Sequence, residues 1–224
     1  MLKLLVSIIL IIIIKNAKNY SAAILVIGNE ILSGRTKDKN INFIAERCTK
    51  IGIDLREVRV IEDDKKEIIA NVKVLSEKFD YLFTTGGIGP THDDKTADSI
   101  AEAFEDKLVL NTIAHDLLKK HYEKSSVILN ESRLKMAYIP SKASLIKNSV
   151  SAAPGFKLNN VWVMAGVPKI MQAMFLDDVE KSLKKGSKTH SLNITVLLPE
   201  GDIAEDLEKV QNSFKAVERG SYPC

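Results

Sequence analysis

Residues 81–104, "YLFTTGGIGPTHDDKTADSIAEAF", pass from an apolar strand candidate through a glycine-rich turn and two adjacent carboxylates into a helix. Such a turn at the end of a strand presents bare backbone N–H groups, which suit a phosphate. Asp93 and Asp94 would repel that phosphate unless a cation came between them. Gly86, Gly87 and Gly89 let the chain turn sharply. The helix that follows, with Thr96 expected as its N-cap, adds free N–H groups and the positive end of its dipole. The spacing matches neither G-x-G-x-x-G nor G-x-x-x-x-G-K-[ST], so the glycines by themselves leave a plain structural turn open. Asp98 reads as a complement to the helix dipole and His92 as an exposed side chain. The aspartates before the cap read as ligands for Mg²⁺, which keeps several waters and bridges carboxylates to phosphate oxygens.

Working outward, "AAILVIG" (22–28) is a continuous apolar run that suits a strand buried on both faces. Ile41, Ile44, Ala45, Cys48 and Ile51 repeat at helical spacing, and Gly52 is placed to stop that helix. "IDLREVRV" (53–60) reads as a strand whose alternation slips once near Glu57. Asp63 or Asp64 can cap a helix with apolar residues Ile68, Ile69, Val72 and Leu75. Strands alternating with amphipathic helices predict an α/β fold: a three-layer α/β/α sandwich around a mostly parallel sheet. Ligands of such sheets sit at the carboxyl ends of the strands, where loops 28–40, 61–64 and 86–95 fall. Glu30, Ser33, Gly34, Asp38, Asp63 and Asp64 therefore join the glycine loop as candidates, with capping as the alternative for Asp63 and Asp64.

Further on, Ile113, Leu117 and Leu118 mark a helix, and "LNESRLKMAYIP" (129–140) a shorter one stopped by Pro140. "SLI" (144–146) and "VWVM" (161–164) read as strands, "SAAPGF" (151–156) as a turn-rich loop, and Pro168 as the first turn of another helix. A boundary near Gly186 leaves residues 186–224 as a small α+β subdomain that reads as truncated, with strand, helix and strand signals in "LNITVLL", "GDIAEDLEKVQNSF" and "AVERGSYP". Residues 20–185 form the main domain.

The 224 residues are 45% hydrophobic and 27% charged, with 32 basic against 29 acidic residues and a formal charge of +3. No basic block or basic–aromatic stripe is present, so no nucleic-acid partner is expected. Two cysteines, Cys48 and Cys224, make no disulfide framework and fit a reducing compartment. The expected location is cytoplasmic, without a stable membrane partner. "MLKLLVSIILIIII" is too short to cross a bilayer core of roughly 30 Å at about 1.5 Å per residue. Residues 1–19 read as an extension contributing nothing to the core; a misassigned start is favoured over a signal or anchor.

"TTGGIGPTHDDKTADSI" resembles the glycine loop of the molybdopterin-binding fold shared by the MoaB/MogA proteins, through Thr84, Thr85, Gly86, Gly87, Gly89, Asp94, Thr96 and Asp98. "GNEILSGRTKDKNINFIAERCTKIGIDL", "APGF" (153–156) and "MAGVPKIM" (164–171) are similar to the N-terminal domain of the CinA (competence/damage-inducible protein A) family. The resemblance implies that the glycine loop and a later loop at Gly166, Pro168 and Lys169 hold a phosphorylated pterin or adenine dinucleotide. It also implies that acids at Asp63 and Asp94 act beside it. In the CinA branch it implies divalent-metal hydrolysis of ADP-ribose-type pyrophosphates.

The expected ligand-binding set is Gly28, Glu30, Ser33, Gly34, Thr85, Gly86, Gly87, Gly89, Pro90, Thr96, Gly166 and Pro168. Asp93 and Asp94 are expected to hold the metal, Asp63 or Glu30 to position it or the water, and Lys169 to neutralise charge on the leaving phosphate. The alternative is a molybdopterin-binding protein without turnover. A homo-oligomer, dimer or trimer, is expected. Asn29 stands where many relatives carry an acid. No serine occupies the region of Lys169 and Ile170, which argues against adenylyl transfer. The deamidase domain of full-length CinA is absent from the sequence, so nucleotide deamidation is not expected.

Overall fold

The computed structural model describes residues 10–12, 19–187, 190–192, 198–214 and 217–218. In chain order the elements begin with β1 (Leu10–Ile12), β2 (Tyr20–Ile27), α1 (Asn29–Leu32), α2 (Asn40–Lys50), β3 (Ile53–Ile61), α3 (Lys65–Lys78), β4 (Tyr81–Thr85) and α4 (Thr96–Ala103). There follow β5 (Leu108–Leu110), α5 (Thr112–Glu123), α6 (Glu131–Leu134), β6 (Tyr138–Pro140), β7 (Ser144–Ile146), β8 (Gly155–Leu158) and β9 (Val161–Met164). The last are α7 (Pro168–Met174), a π turn over Phe175–Val179, α8 (Glu180–Ser182), β10 (His190–Leu192), α9 (Glu200–Ser213) and β11 (Val217–Glu218).

The main sheet has six strands in the order β3-β2-β4-β9-β8-β7. Its first four are parallel, and β8 and β7 close the far edge antiparallel. Strand β2 explains why its sequence shows no alternation. Ala22, Ile24 and Val26 pack into one core and Ala23, Leu25 and Ile27 into the other, on opposite faces of the sheet. Helix α2 and the α7 region cover the first face through Ile44, Cys48, Met171 and Phe175. Helices α3 and α4 cover the second through Ile68, Val72, Leu75 and Ile100. The expected three-layer α/β/α architecture is present.

The slip expected near Glu57 is a β-bulge. Ala22 pairs with Leu55 and Ala23 with Glu57, so Arg56 is the extra residue. Asp64, not Asp63, caps α3, accepting from the N–H groups of Lys66 at 2.9 Å and Glu67 at 3.1 Å. Those bonds, Glu67 first, hold its carboxyl below the ordinary carboxylate range. A depressed folded pKa adds stability that is complete above the unfolded value of about 4 and is lost as pH falls through the folded one. Urea midpoints should therefore fall as the pH drops below the unfolded value, and less steeply in Asp64→Ala. Equal slopes for the two proteins would show that the cap contributes nothing to acid sensitivity.

Several expectations need correction. Pro140 does not stop a helix. The helical turn ends at Ala137, and Tyr138–Pro140 pairs antiparallel with Leu108–Leu110, a strand that carries no sequence signal of its own. Ile113 and Leu117 are exposed, and α5 is anchored instead by Ala114 and Leu118. Leu10–Ile12 lies outside the six-stranded sheet and is the middle strand of a separate three-stranded sheet between β10 and β11. Most of "LNITVLL" and the end of "AVERGSYP" lie outside the described residues. Cys48 is buried, and desolvation first, then the charge of Glu180, pushes its thiol up to about 12. It is chemically quiet.

Candidate functional site

The carboxyl ends of β2, β4 and β9 meet at the glycine loop. Gly86 is fixed there by two bonds: its N–H donates to Met164 O at 3.1 Å, and its carbonyl accepts from the Thr96 hydroxyl at 3.1 Å. Its φ of 103° and a Cβ position 2.0 Å from Ile27 O leave room for glycine alone. Gly166 lies across from it, its Cβ position 3.2 Å from the Gly86 Cα. Asn40 holds the Gly166 carbonyl by a 2.8 Å bond from its side-chain amide. The two loops that the resemblance paired are thus in contact.

Beyond Gly86, the N–H groups of Gly87, Ile88 and Gly89 take no hydrogen bond within the described chain, and neither do those of Gly166 and Val167. All five residues line one cleft of about 560 Å³. Five donors without a partner in the protein, on facing loops that are half-buried or exposed, are free to meet an anion in this cleft.

Acids share the cleft. Glu30, Asp63, Asp93 and Asp94 all line it. Asp63 accepts from the N–H of Asn29 through Oδ2 at 2.9 Å, which ties loop 61–64 to the start of α1. Asp94 Oδ2 accepts from the N–H of Thr91 at 2.8 Å and from its hydroxyl, closing the loop over Gly89. In each case Oδ1 has no hydrogen bond among the described residues. Asp93 is exposed and lines the cleft.

The structure also sorts the remaining candidates. Pro90 and Pro168 line the cleft, and Thr36 joins them. Gly28 is buried behind it, with the Glu30 carboxylate folded against it. Ser33, Gly34 and Lys169 are exposed and are not part of the cleft wall, although Lys169 lies between the wall residues Pro168 and Ile170. Thr85 is buried beneath the loop with an unpaired hydroxyl. Thr96 is not the N-cap of α4. Lys95 takes that place without a side-chain cap, and Thr96 is buried in the first turn, pinning the loop to the helix. Asp98 is held by Lys65 at 2.6 Å, which joins α3 to α4.

The far wall was missed: Tyr122, Met136, Asn148, Ser151 and Ala153. Arg133 lies 5.5 Å from the Tyr122 ring centre, and Asn148 organises its loop by accepting from the N–H groups of Val150 and Ser151.

The corrected role of Thr96 changes the expectation for Gly87→Val. Gly87 has φ 68°, and its Cβ position lies 2.1 Å from the Thr96 hydroxyl oxygen, so the new side chain strikes the pin and does not fill the cradle. Anion affinity should still fall at least about tenfold, or roughly 1.4 kcal/mol. Thr96→Val, which removes the pin without adding bulk, should weaken binding in the same direction. Calorimetric titration with pyrophosphate checks both, and wild-type affinity in either variant would mean the loop's shape does not matter.

Among the described residues no three His, Cys, Asp or Glu side chains converge on one point. The donors available are carboxylate oxygens, two of them free on Asp63 and Asp94. That set fits Mg²⁺, which takes one or two carboxylates and completes its shell with water and phosphate oxygens. It lacks the nitrogen and sulfur donors that structural zinc prefers. Among the described residues no helix is long and apolar enough to cross a membrane.

Comparison with known proteins agrees with the fold. Residues 188–224 match the FAD synthase middle domain. A protein of Metallosphaera sedula is 39% identical over 160 residues, covering 69% of this chain and 60% of its own length. One of Saccharolobus islandicus is 38% identical over 168 residues, covering 73% and 64%. The chain thus spans less than two thirds of these relatives. The crystal structure of the protein CinA from Thermoplasma acidophilum, its function unknown, superposes with a TM-score of 0.65 at 35% identity, over 71% of this chain and 95% of that one. With residues 23–185 matching the family described as "Probable molybdopterin binding domain", the domain built around this cleft belongs to that family.

Proposed function

We propose that the chain binds a phosphorylated pterin or an adenine dinucleotide in the acidic cleft and hydrolyses its pyrophosphate with the help of a divalent cation. The observation that carries this reading is the meeting, in one cleft, of five unclaimed backbone N–H groups with four carboxylates. Donors alone would suit any anion. Carboxylates beside them suit an anion that arrives with a cation.

The unpaired N–H groups of Gly87, Ile88 and Gly89 hold one phosphate, and those of Gly166 and Val167 face the next. Such donors are fixed before the reaction and favour charge as it builds on the phosphoryl oxygens. Asp93 and the free oxygen of Asp94 would hold the metal. Asp63, fixed by Asn29, accepts a proton from the attacking water or orients it. When bound, the metal supplies charge neutralisation between acid and phosphate and a more acidic water. The match to an FAD synthase segment supports a nucleotide substrate.

The second reading, a molybdopterin-binding protein without turnover, is favoured by the description of the matching family. Incubating the protein with ADP-ribose or FAD, with Mg²⁺ or with EDTA, and resolving the products separates the two. Mononucleotide released only with metal supports the first; binding without release supports the second. A dimer or trimer belongs to the same proposal. Val109, Leu110, Ile113 and Leu117 are exposed in the single chain, and burying such side chains would favour a partner copy. Sedimentation tests it.

A further inference from the structure

The far wall of the cleft, Tyr122, Met136, Asn148, Ser151 and Ala153, carries no charged side chain. It offers phosphate oxygens no cation, and what it suits is the uncharged remainder of a ligand. Asn148, Ser151 and Ala153 come from loop 147–154, which joins β7 to β8. That loop is not shaped by its own preferences alone. Ala152 sits at φ 62°, where a residue with a Cβ is strained and persists only if its surroundings hold it.

Two aspartates outside the loop grip it. The Lys147 N–H donates to Asp178 Oδ2 at 2.9 Å, and the Ser149 hydroxyl donates to Asp177 Oδ2 at 2.8 Å. These bonds fix the residues on either side of Asn148, whose side chain in turn orders Val150, Ser151 and Ala153. Both aspartates belong to the π turn, and Phe175 and Val179 at its two ends are fully buried. The turn continues α7 without a break, and α7 begins at Pro168, next to the unpaired N–H groups of Gly166 and Val167. One anchored segment thus runs from the phosphate side of the cleft to the tether of its opposite wall. Neither aspartate lines the cleft itself.

We propose that Asp177 and Asp178 are positioning residues. Through the π turn they set the distance between the far wall and the phosphate donors, and so select a ligand with a bulky uncharged group beyond its phosphates over a bare diphosphate. The inference rests on the ligand class proposed for the cleft and adds to it the residues that enforce the selection.

Calorimetric titration of the full chain with Mg²⁺ tests it, using methylene-bridged ADP-ribose and methylenediphosphonate, neither of which hydrolyses at the bridge. Wild type should bind the first at least about tenfold more tightly. Asp177→Ala/Asp178→Ala should weaken the ADP-ribose analogue at least about tenfold and leave methylenediphosphonate unchanged. Asp177→Asn/Asp178→Asn keeps an acceptor oxygen at each position and should restore most of the lost affinity. Amide exchange of residues 147–153 should quicken at least about tenfold in the alanine variant and stay near wild type in the asparagine one. Equal losses for both ligands, an unchanged preference, no rescue by asparagine or unchanged exchange would overturn the proposal. A wild type that binds neither analogue marks the failure of the ligand class instead, and the exchange result then decides alone whether the aspartates hold the wall.

Discussion

Gly86→Ala should destabilise the fold by about 3 kcal/mol or more and abolish anion binding with it. Two costs combine. A φ of 103° lies where a residue with a Cβ is strained, worth about 1–3 kcal/mol. The new Cβ would also sit 2.0 Å from the carbonyl oxygen of Ile27, which belongs to the central strand β2 and is held on both sides by β3 and β4. A flexible side chain could swing away; this backbone cannot. Gly34 is the control. Its φ is 70°, yet its Cβ position meets nothing within 4 Å, so Gly34→Ala should cost about 1 kcal/mol. Urea unfolding of the two variants gives the comparison, and equal midpoints would mean that the contact between Gly86 and β2 is not part of the fold.

The largest effect on chemistry is expected from Asp63→Asn/Asp93→Asn. Pyrophosphate hydrolysis should fall at least about a hundredfold, the usual scale for losing a group that handles a proton. The fold should hold, because an amide oxygen at position 63 can still accept from Asn29 and Asp93 is exposed. Product analysis with ADP-ribose and Mg²⁺, beside a urea curve for the same protein, separates lost chemistry from lost structure. A rate within a few-fold of wild type would remove both residues from the mechanism.

How much of this was visible in the sequence depends on the range of the forces involved. The continuous apolar run at 22–27 announced a doubly covered strand because each of its residues answers to one core or the other. The slip near Glu57 announced a bulge because one extra residue shifts the side-chain period. Gly86 and Gly87 were legible because positive φ is a local demand. Thr96 was misread as a cap because both roles use a hydroxyl at a helix start. Only the path of the loop places Gly86 O within its reach. Lys169 lies at the start of α7 between Pro168 and Ile170, which line the cleft, and is itself exposed. Tyr122, Met136 and Asn148 left no signal, since a wall assembled from a helix end, a short turn and a loop has no period to detect. Strand β5 was hidden because three residues are too few to show one.

Whether the carboxylates beside the cradle are there for a cation is decided by four calorimetric titrations. ADP-ribose is titrated into wild type and into Asp93→Asn/Asp94→Asn, each with Mg²⁺ and with EDTA. Unscreened, Asp93 and Asp94 repel the pyrophosphate; bridged, they attract it. Wild-type affinity should therefore fall at least about tenfold in EDTA, and the variant should bind about equally in both conditions. Equal affinities in all four titrations would contradict the account and leave the acids with no role beyond closing the loop and complementing the dipole of α4.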